Sequence, residues 1–185
     1  MRFFVLVALL AFTSTAFAQK HMIDFNADAF TFGRLSFNNQ RDRGSNASET
    51  KYHAIYLNYA QTVTDHVQAG AQVNYSKFSY DSGKSESYEL LVGGYYNLDS
   101  DLKNSIYASV HLGYGTEWKS ADQNTYGNKD EYIISKVAVG KRSNIAGNFT
   151  YNPEIGFSNK SYTSGDSVVW SQDFQIRFLQ FAVFF

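Results

Sequence analysis

The feature that most constrains this sequence is an alternation of apolar and polar residues that recurs along most of its length. From Val67 to Ser76, valine, alanine and tyrosine occupy every second position, and glutamine, glycine, asparagine and serine lie between them. Side chains of a β-strand point alternately to opposite faces of a sheet, so a period of two predicts a strand with one apolar and one polar face. The chain is therefore predicted to be all-β.

Seven further segments carry the same pattern, and with Val67 to Ser76 they predict eight strands. They are Ile23 to Phe37, Tyr52 to Thr62, Ser87 to Tyr96, Ile106 to Tyr114, Tyr132 to Gly140, Ile145 to Phe157 and Ser167 to Phe185. Short connections alternate with longer polar ones. The short ones are Thr64 to His66, Asn97 to Asn104 and Lys141 to Asn144, and the others are Asn38 to Thr50, Asp81 to Glu86, Lys119 to Asp130 and Asn159 to Asp166. This is the order of an antiparallel meander whose first and last strands can pair and close a barrel.

The N-terminus has the pattern of a secretory signal peptide. Arg2 precedes the apolar run Phe3 to Phe12, and Ala16-Phe17-Ala18 forms a small-residue cleavage site. A transmembrane anchor would need about 20 apolar residues, and this run is roughly half that length. We therefore expect residues 1–18 to be removed and residues 19–185 to form one barrel domain.

Composition and charge exclude several classes of protein. Cys is absent and Pro occurs once, which excludes disulfide scaffolds and cysteine-based zinc sites. Removal of Arg2 leaves 15 basic residues against 17 acidic ones, a net charge of −2, so nucleic acid is not an expected partner. The histidines lack the spacing of metal ligands, and neither a metal nor another cofactor is expected. They are His21, His53, His66 and His111.

The distribution of charges indicates which face of the strands meets lipid. The predicted polar faces combine amides and hydroxyls with a few charges of both signs, whereas the apolar faces carry only Lys77. A solvated outer surface usually carries many unpaired Lys and Glu, but a crowded interior needs a partner for each polar group. An apolar face of about ten residues, tilted by about 40°, rises roughly 25 Å, the height of a lipid-facing band. The apolar faces are therefore predicted to point outward into a bilayer.

The C-terminus carries the most specific signal. Leu179, Phe181, Val183 and Phe185 are apolar at every second position, and the last residue is aromatic. This resembles the C-terminal signal of bacterial outer-membrane β-barrels, and the mature chain is similar to the small OmpA-type and OmpX-type barrels. The resemblance implies an outer-membrane location in contact with lipid and lipopolysaccharide, short turns in the periplasm, loops outside the cell, and insertion by the barrel-assembly machinery.

Two irregularities are expected in the strands near the C-terminus. Asp173 and Arg177 have the same parity as Leu179 and Phe185, so the last strand needs a bulge near Arg177 to Gln180. Pro153 has no N–H group to donate within the seventh strand, and a local interruption is expected there.

The interior of an eight-stranded barrel is usually filled by its own side chains. Large residues assigned to the lumen agree with this and disfavour a general diffusion pore. These residues are Phe30, Phe32, Tyr56, Tyr95 and Tyr107. Charged residues are also assigned to the lumen, and we interpret them as a network that offsets the desolvation of its members. The network comprises Glu89, Lys136, Glu154, Arg177 and Asp173.

A proton or ion path through these charges is the alternative, because the family that the chain resembles has a comparable charged plug that is proposed to gate conduction. Catalysis is a further alternative, because some eight-stranded outer-membrane barrels modify lipid A. Ser109 and His111 share a lumen face with Glu89 on the neighbouring strand, which nominally supplies a nucleophile, a base and an orienting acid. Residues two apart on a strand have Cβ atoms about 7 Å apart, and a filled lumen leaves substrate no access, so we do not predict an enzyme.

The loops remain as candidate binding surfaces, because connections on a rigid scaffold often carry function. Residues expected there include Arg41, Arg43, Tyr126, Lys129, Lys160 and Tyr162. Their mixed charge selects no partner, and hydrated loops could serve only to keep the rim soluble. The sequence thus predicts a monomeric, eight-stranded, antiparallel up-and-down transmembrane β-barrel with a structural or surface-interaction role, for example adhesion through an extracellular ligand. A narrow small-solute or ion channel and a lipid-modifying enzyme are the alternatives.

Overall fold

A computed structural model of the protein describes residues 21–28, 34–38, 51–80, 83–120, 127, 129–164 and 167–185. These residues form twelve strand segments in one antiparallel sheet. The segments are β1 His21–Asp28, β2 Arg34–Asn38, β3 Lys51–Thr62, β4 Val67–Tyr80, β5 Gly83–Asn97, β6 Ile106–Ser120, β7 Lys129–Lys141, β8 Ser143–Ala146, β9 Phe149–Tyr151, β10 Glu154–Ser164, β11 Ser167–Arg177 and β12 Gln180–Phe184. In these parts of the chain no helix is long and apolar enough to cross a membrane.

The sheet closes on itself through its first and last strands. Pairing runs from β1 through β3, β4, β5, β6 and β7 to β10 and β11. β12 follows β11 in the chain and pairs with β1, which joins Met22 to Phe184 and Asn26 to Gln180. β2 pairs with β11 from Arg34 and Arg177 to Asn38 and Asp173. The antiparallel up-and-down barrel is therefore confirmed, and closure leaves these strands without an open edge.

Eight uninterrupted strands, however, are not what the described residues show, because four strands of the barrel each consist of two segments. The first consists of β1 and β2, and its residues 29–33 lie outside the described part of the chain. The sixth is interrupted at Arg142, the seventh at Asn152 and Pro153, and the last at Phe178 and Leu179. The last two interruptions lie where the sequence predicts irregularities. They are explained by the missing N–H of Pro153 and by the change of parity after Arg177.

The turn between the sixth and seventh strands lies further along the chain than the sequence predicts. It is formed by Gly147 and Asn148 and not by Lys141 to Asn144. Gly147 has a φ of 56°, a left-handed conformation that glycine adopts without steric penalty. β8 pairs with β9, so Ile145 belongs to the sixth strand and not to the seventh. Arg142 consequently lies in the barrel wall.

At the opposite end of the barrel the strands run further than predicted. β4 and β5 stay paired as far as Tyr80 and Gly83, and β10 and β11 as far as Ser164 and Ser167. β5 and β6 each contain 15 residues, whereas a transmembrane strand needs about 9–11. Most of the segments predicted as loops at Asp81 to Glu86 and Asn159 to Asp166 is therefore strand. Paired strands satisfy their backbone hydrogen bonds above the membrane as well as within it.

Burial alternates along the strands as the sequence predicts. On β4 the side chains of Gln68, Gln72 and Asn74 are buried, whereas Val73 is 53% exposed. The exposed apolar residues cover the outside of the barrel, and they include Ile55, Leu57, Leu90, Val92, Val110, Leu112, Ile133, Val137, Val139 and Ile155. Continuous apolar surface of this kind is unfavourable in water. The outer face is therefore the one that meets acyl chains.

Glycines make room for the largest side chains inside the barrel. Gly115 lies opposite Tyr132 across β6 and β7, and Gly140 lies opposite Tyr107. A Cβ atom at Gly115 would overlap the Tyr132 ring, and one at Gly140 would overlap the Tyr107 hydroxyl group. Both rings can fold across the lumen only because these positions lack a side chain.

Candidate functional site

The candidate site is the polar interior of the barrel. Among the described residues, three acids and three bases are buried there. The acids are Asp24, Glu89 and Glu154, and the bases are Lys136, Arg142 and Arg177. A charge removed from water is tolerated when an opposite charge or several hydrogen bonds stabilise it. The partners of each charge therefore define what the lumen can do.

Glu89 is the centre of the cluster nearer the loop end of the barrel. Its carboxylate accepts hydrogen bonds from Lys136 Nζ at 2.9 Å, Asn74 Nδ2 at 2.7 Å and Tyr132 Oη at 3.0 Å. Lys160 Nζ lies 2.8 Å from Oε1, the oxygen that Tyr132 contacts, whereas Lys136 and Asn74 contact Oε2. Two ammonium groups thus hold one buried carboxylate, and both of its oxygens are occupied.

Lys160 and Tyr162 lie in β10, which corrects their predicted place in a surface loop. The Lys160 side chain is 23% exposed, and its ammonium group lies 4.5 Å from the centre of the Tyr132 ring. Tyr162 packs against the same ring in a tilted arrangement, with ring centres 4.9 Å apart, and its hydroxyl group donates to Glu117 at 3.2 Å. The alternation that places Ser158 inside the barrel continues through these two positions, and this was the signal for their location.

The other residues predicted for the loops are placed differently. Lys129 begins β7 and is exposed, with its Nζ atom 2.7 Å from Glu131 Oε1. Arg41, Arg43 and Tyr126 lie outside the described residues.

A second ion pair lies nearer the turn end. Arg177 Nη1 is 2.8 Å from Glu154 Oε1, and Tyr107 Oη donates to Glu154 Oε2 at 3.1 Å. The Tyr56 ring lies between the two clusters, 4.8 Å from the Arg177 guanidinium and 5.5 Å from Lys136 Nζ. The charges grouped by the sequence analysis therefore form two centres bridged by one aromatic ring. Asp173, also assigned to this network, accepts a hydrogen bond from Gln175.

Arg142 is a lumen residue that the sequence analysis missed. It is fully buried, and its Nη1 atom donates to Gln68 Oε1 at 2.8 Å and to Asn97 Oδ1 at 2.6 Å. Three aromatic rings surround its guanidinium group at 4.5–5.7 Å, those of Tyr95, Tyr107 and Phe184. The misplaced turn concealed it, and the Gly147-Asn148 dipeptide was the signal that would have located the turn correctly.

Apolar side chains close the lumen on either side of its polar middle. At the turn end, a buried cluster contains Met22, Ala60, Tyr95, Leu102, Tyr107, Ala182 and Phe184. Leu102 reaches it from the connection between β5 and β6 and is 3% exposed. Toward the loop end, Leu91, Tyr132 and Ile134 form a second cluster, with Tyr162 packed against it.

A cavity of about 30 Å³ lies in the polar middle of the lumen. A space of this size is large enough to hold ordered water. Its lining includes Asp24, Asn58, Ser109, His111, Arg177 and Gln180.

Ser109, His111 and Glu89, which the sequence analysis considered as a nominal triad, lie in two different surroundings in the described structure. Ser109 and His111 are buried beside this cavity, and no hydrogen bond joins them among those found for the described residues. His111 packs edge-on against Tyr95, with ring centres 5.4 Å apart. Glu89 is held by its two lysines.

Comparison with known proteins identifies the fold. No protein-family model matches the sequence, and no curated protein sequence is similar to it. Neisserial surface protein A has a similar solved structure, with a TM-score of 0.57, 11% identity and coverage of 90% of this chain and 97% of that one. The outer membrane protein AlkL matches with a TM-score of 0.53, 13% identity and 90% coverage of both chains. Ail, the attachment invasion locus protein of Yersinia pestis, matches with a TM-score of 0.52, 11% identity and coverage of 91% and 100%. The chain thus has the fold of the small outer-membrane β-barrels.

Proposed function

We propose that this barrel resides in the outer membrane as a structural or surface-interaction protein whose activity lies at its loop end and not in its lumen. The observation that carries the proposal is the filled interior. Two ion-paired centres occupy the middle, and an apolar cluster closes each side. An ion crossing the lumen would have to separate buried ion pairs, and breaking such a pair costs about 3–5 kcal/mol.

The loop end offers a rigid platform for contacts outside the membrane. β4 and β5 remain hydrogen-bonded to each other up to the connection between them, and so do β10 and β11. Trp118 and Lys129 face each other at the top of β6 and β7, with the Lys129 ammonium group 5.5 Å from the indole ring. Binding residues on such scaffolds are held in place before a partner arrives. Two of the similar structures belong to proteins named for the cell surface and for attachment, which supports this assignment.

The membrane itself is the first partner in this proposal. The outer apolar face contacts lipid, and the rim of the barrel contacts lipopolysaccharide. The expected signal peptide directs the chain across the inner membrane, and the barrel-assembly machinery inserts it as a monomer. Heat modifiability on a gel tests this part. The mature protein in an outer-membrane fraction should migrate anomalously until boiled, and a fully soluble, unshifted protein would contradict it.

Planar-bilayer conductance of the purified full-length barrel tests the closed lumen. We expect no steady openings from the wild-type barrel, and the same result from Ser109→Ala, which leaves both ion pairs intact. Steady openings of the wild-type protein that disappear in Glu154→Gln would instead establish the narrow channel, which the polar cavity favours as second candidate.

Lipid A mass spectra from cells with the wild-type protein and with Ser109→Ala test a lipid-modifying enzyme, and we expect them to be identical.

A further inference from the structure

Asp24 is a buried acid of the lumen that no base contacts. Glu89 and Glu154 each have a base within 2.9 Å. In contrast, no lysine or arginine nitrogen of the described side chains lies within ion-pair distance of Asp24, which is 4% exposed. An isolated buried charge is unfavourable, so the Asp24 carboxylate requires a further stabilising partner.

The strands on either side of β1 each place an amide side chain beside Asp24. On β3, Asn58 lies directly opposite Asp24. On β12, Gln180 lies two residues from the partner of Asp24, and its Nε2 atom donates to Asp24 Oδ2 at 2.7 Å. Gln180 points into the lumen because the interruption at Phe178 and Leu179 changes the parity of the last strand. Three neighbouring strands thus bring one carboxylate and two amides together.

The side-chain oxygens of these three residues need a partner that is electropositive. Asn58 and Gln180 are each 4% exposed, and Asn58 Oδ1 and Gln180 Oε1 have no hydrogen-bond partner among the described residues. Both amide nitrogens already donate, that of Asn58 to Tyr95 Oη at 2.8 Å and that of Gln180 to Asp24. The contacts of Gln180 and Tyr95 with Asp24 both use Oδ2 and not Oδ1. Buried acceptors are almost always paired in native proteins, so these oxygens indicate a ligand.

The cavity of about 30 Å³ in the middle of the lumen provides the room, because all three side chains line it. Arg177 and Lys136 line it as well, but each of them holds its own carboxylate, that of Glu154 and that of Glu89. Arg142 packs on aromatic rings and is not part of the lining. The charge of Asp24 is therefore the uncompensated one among the residues that line the cavity.

The chemistry of this group selects a small cation of single charge. Carboxylate and carbonyl oxygens are the ligands of hard cations. A divalent ion such as Ca²⁺ takes about six to eight oxygens, and no three His, Cys, Asp or Glu side chains of the described residues are grouped to hold one. We propose that an alkali-metal cation binds in the cavity between Asp24 Oδ1, Asn58 Oδ1 and Gln180 Oε1. A bound ion fills the lumen and does not cross it, so this site is independent of the function proposed above.

Carbon-13 NMR of the wild-type barrel in a bilayer tests the site directly. The barrel is refolded either in sodium chloride or in the chloride of N-methylglucamine, a cation too large for the cavity. The side-chain carbonyl signals of Asp24, Asn58 and Gln180 should differ between the two salts. Asn74 is the matched control, since its Oδ1 atom is also buried without a partner but does not line the cavity. An Asp24 signal that is the same in both salts, including that of a neutral carboxylic acid, overturns the proposal, and so does an equal shift at Asn74.

The stability of the barrel in the same two salts provides a second test. A ligand that binds only the folded state stabilises it, so sodium should raise the urea midpoint of the wild-type barrel above its value in N-methylglucamine at equal ionic strength. Asp24→Asn should abolish this difference, whereas Asp65→Asn, which removes an exposed carboxylate from a turn, should retain it. A wild-type midpoint that is equal in both salts, or a difference that survives in Asp24→Asn, refutes the site. If Asp24→Asn does not fold, Asn58→Leu takes its place with the same expected result.

Discussion

The outer and inner faces of the barrel wall differ sharply across β4, β5, β6 and β7, as two adjacent rows of residues show. The outer row consists of Val73, Leu90, Tyr114 and Ile133, which lie opposite one another on successive strands and are all exposed. The inner row, one residue along, consists of Asn74, Glu89, Gly115 and Tyr132. Here Asn74 and Tyr132 both donate to Glu89, and Gly115 leaves room for the Tyr132 ring.

The sequence specifies the two faces in different ways. Acyl chains adapt to the shape of any apolar side chain, so the outer row needs only hydrophobicity. The inner row needs particular donors, acceptors and volumes, because a buried group that loses its partner keeps the full cost of desolvation. Substitutions that preserve polarity class should therefore be tolerated outside and not inside.

The largest effect is expected where the inner specification is broken. Glu89→Ala leaves the buried ammonium group of Lys136 without its carboxylate, and such a loss destabilises by about 3–5 kcal/mol. The measurement is the folded fraction on unboiled gels across a urea titration.

Glu86→Ala is the matched control for this substitution. Glu86 lies on the same strand but on the outer face, and it pairs at 3.2 Å with Lys77. The Glu86 side chain is 12% exposed and that of Lys77 is 37% exposed, so water reaches this pair through the lysine, whereas Lys136 beside Glu89 is only 10% exposed. Ion pairs that water reaches contribute at most about 1 kcal/mol. Equal losses of stability for the two variants would remove the distinction between the faces.

A smaller but still large effect is expected from a charge on the outer face. Leu112→Arg places a guanidinium group where Leu112 is 56% exposed toward lipid, and such changes cost about 2–4 kcal/mol near the bilayer midplane. Leu112→Val retains apolar character and should leave the urea midpoint in lipid vesicles nearly unchanged. A tolerated arginine at this position would show that the outer face does not contact acyl chains.

The same distinction explains how much of the fold was predictable from sequence. The outer face repeats one simple property every second residue, so the positions of β3, β4, β5, β6 and β7 follow from the period alone. Closure follows as well, since it needs only the first and last strands to be antiparallel neighbours. The apolar position of Val73 and the polar position of Gln72 are read from the sequence with no knowledge of their neighbours.

The partners inside the lumen were less predictable, because they depend on distant residues. The alternation identifies Glu89 and Lys136 as interior residues, but their contact joins positions 47 residues apart. Arg142 was missed because the turn after the sixth strand was predicted at Lys141 to Asn144, which assigned Arg142 to a connection and not to a strand. Lys160 was missed because loops and strand extensions above the membrane have the same polar composition, and only backbone pairing separates them.

The smallest effect is expected at the loop end, where the inner face meets water. Lys119 is 46% exposed, and its Nζ atom lies 3.4 Å from Glu117 and 3.1 Å from Asp130, beyond the lipid-facing part of β6. Partial burial opposes its charge, but these two carboxylates outweigh it and raise the pKa of Lys119 above the usual 10.5. The ion pairs should therefore stabilise the barrel fully below the usual lysine pKa and lose this effect as the pH rises through the raised value.

Lys119→Gln should lower the free energy of unfolding by less than about 1 kcal/mol near neutral pH, and by nothing once the wild-type lysine is deprotonated. Urea titrations of both proteins at several alkaline pH values measure the difference, and a gap that persists unchanged at the highest pH would show that Lys119 acts through packing and not through charge.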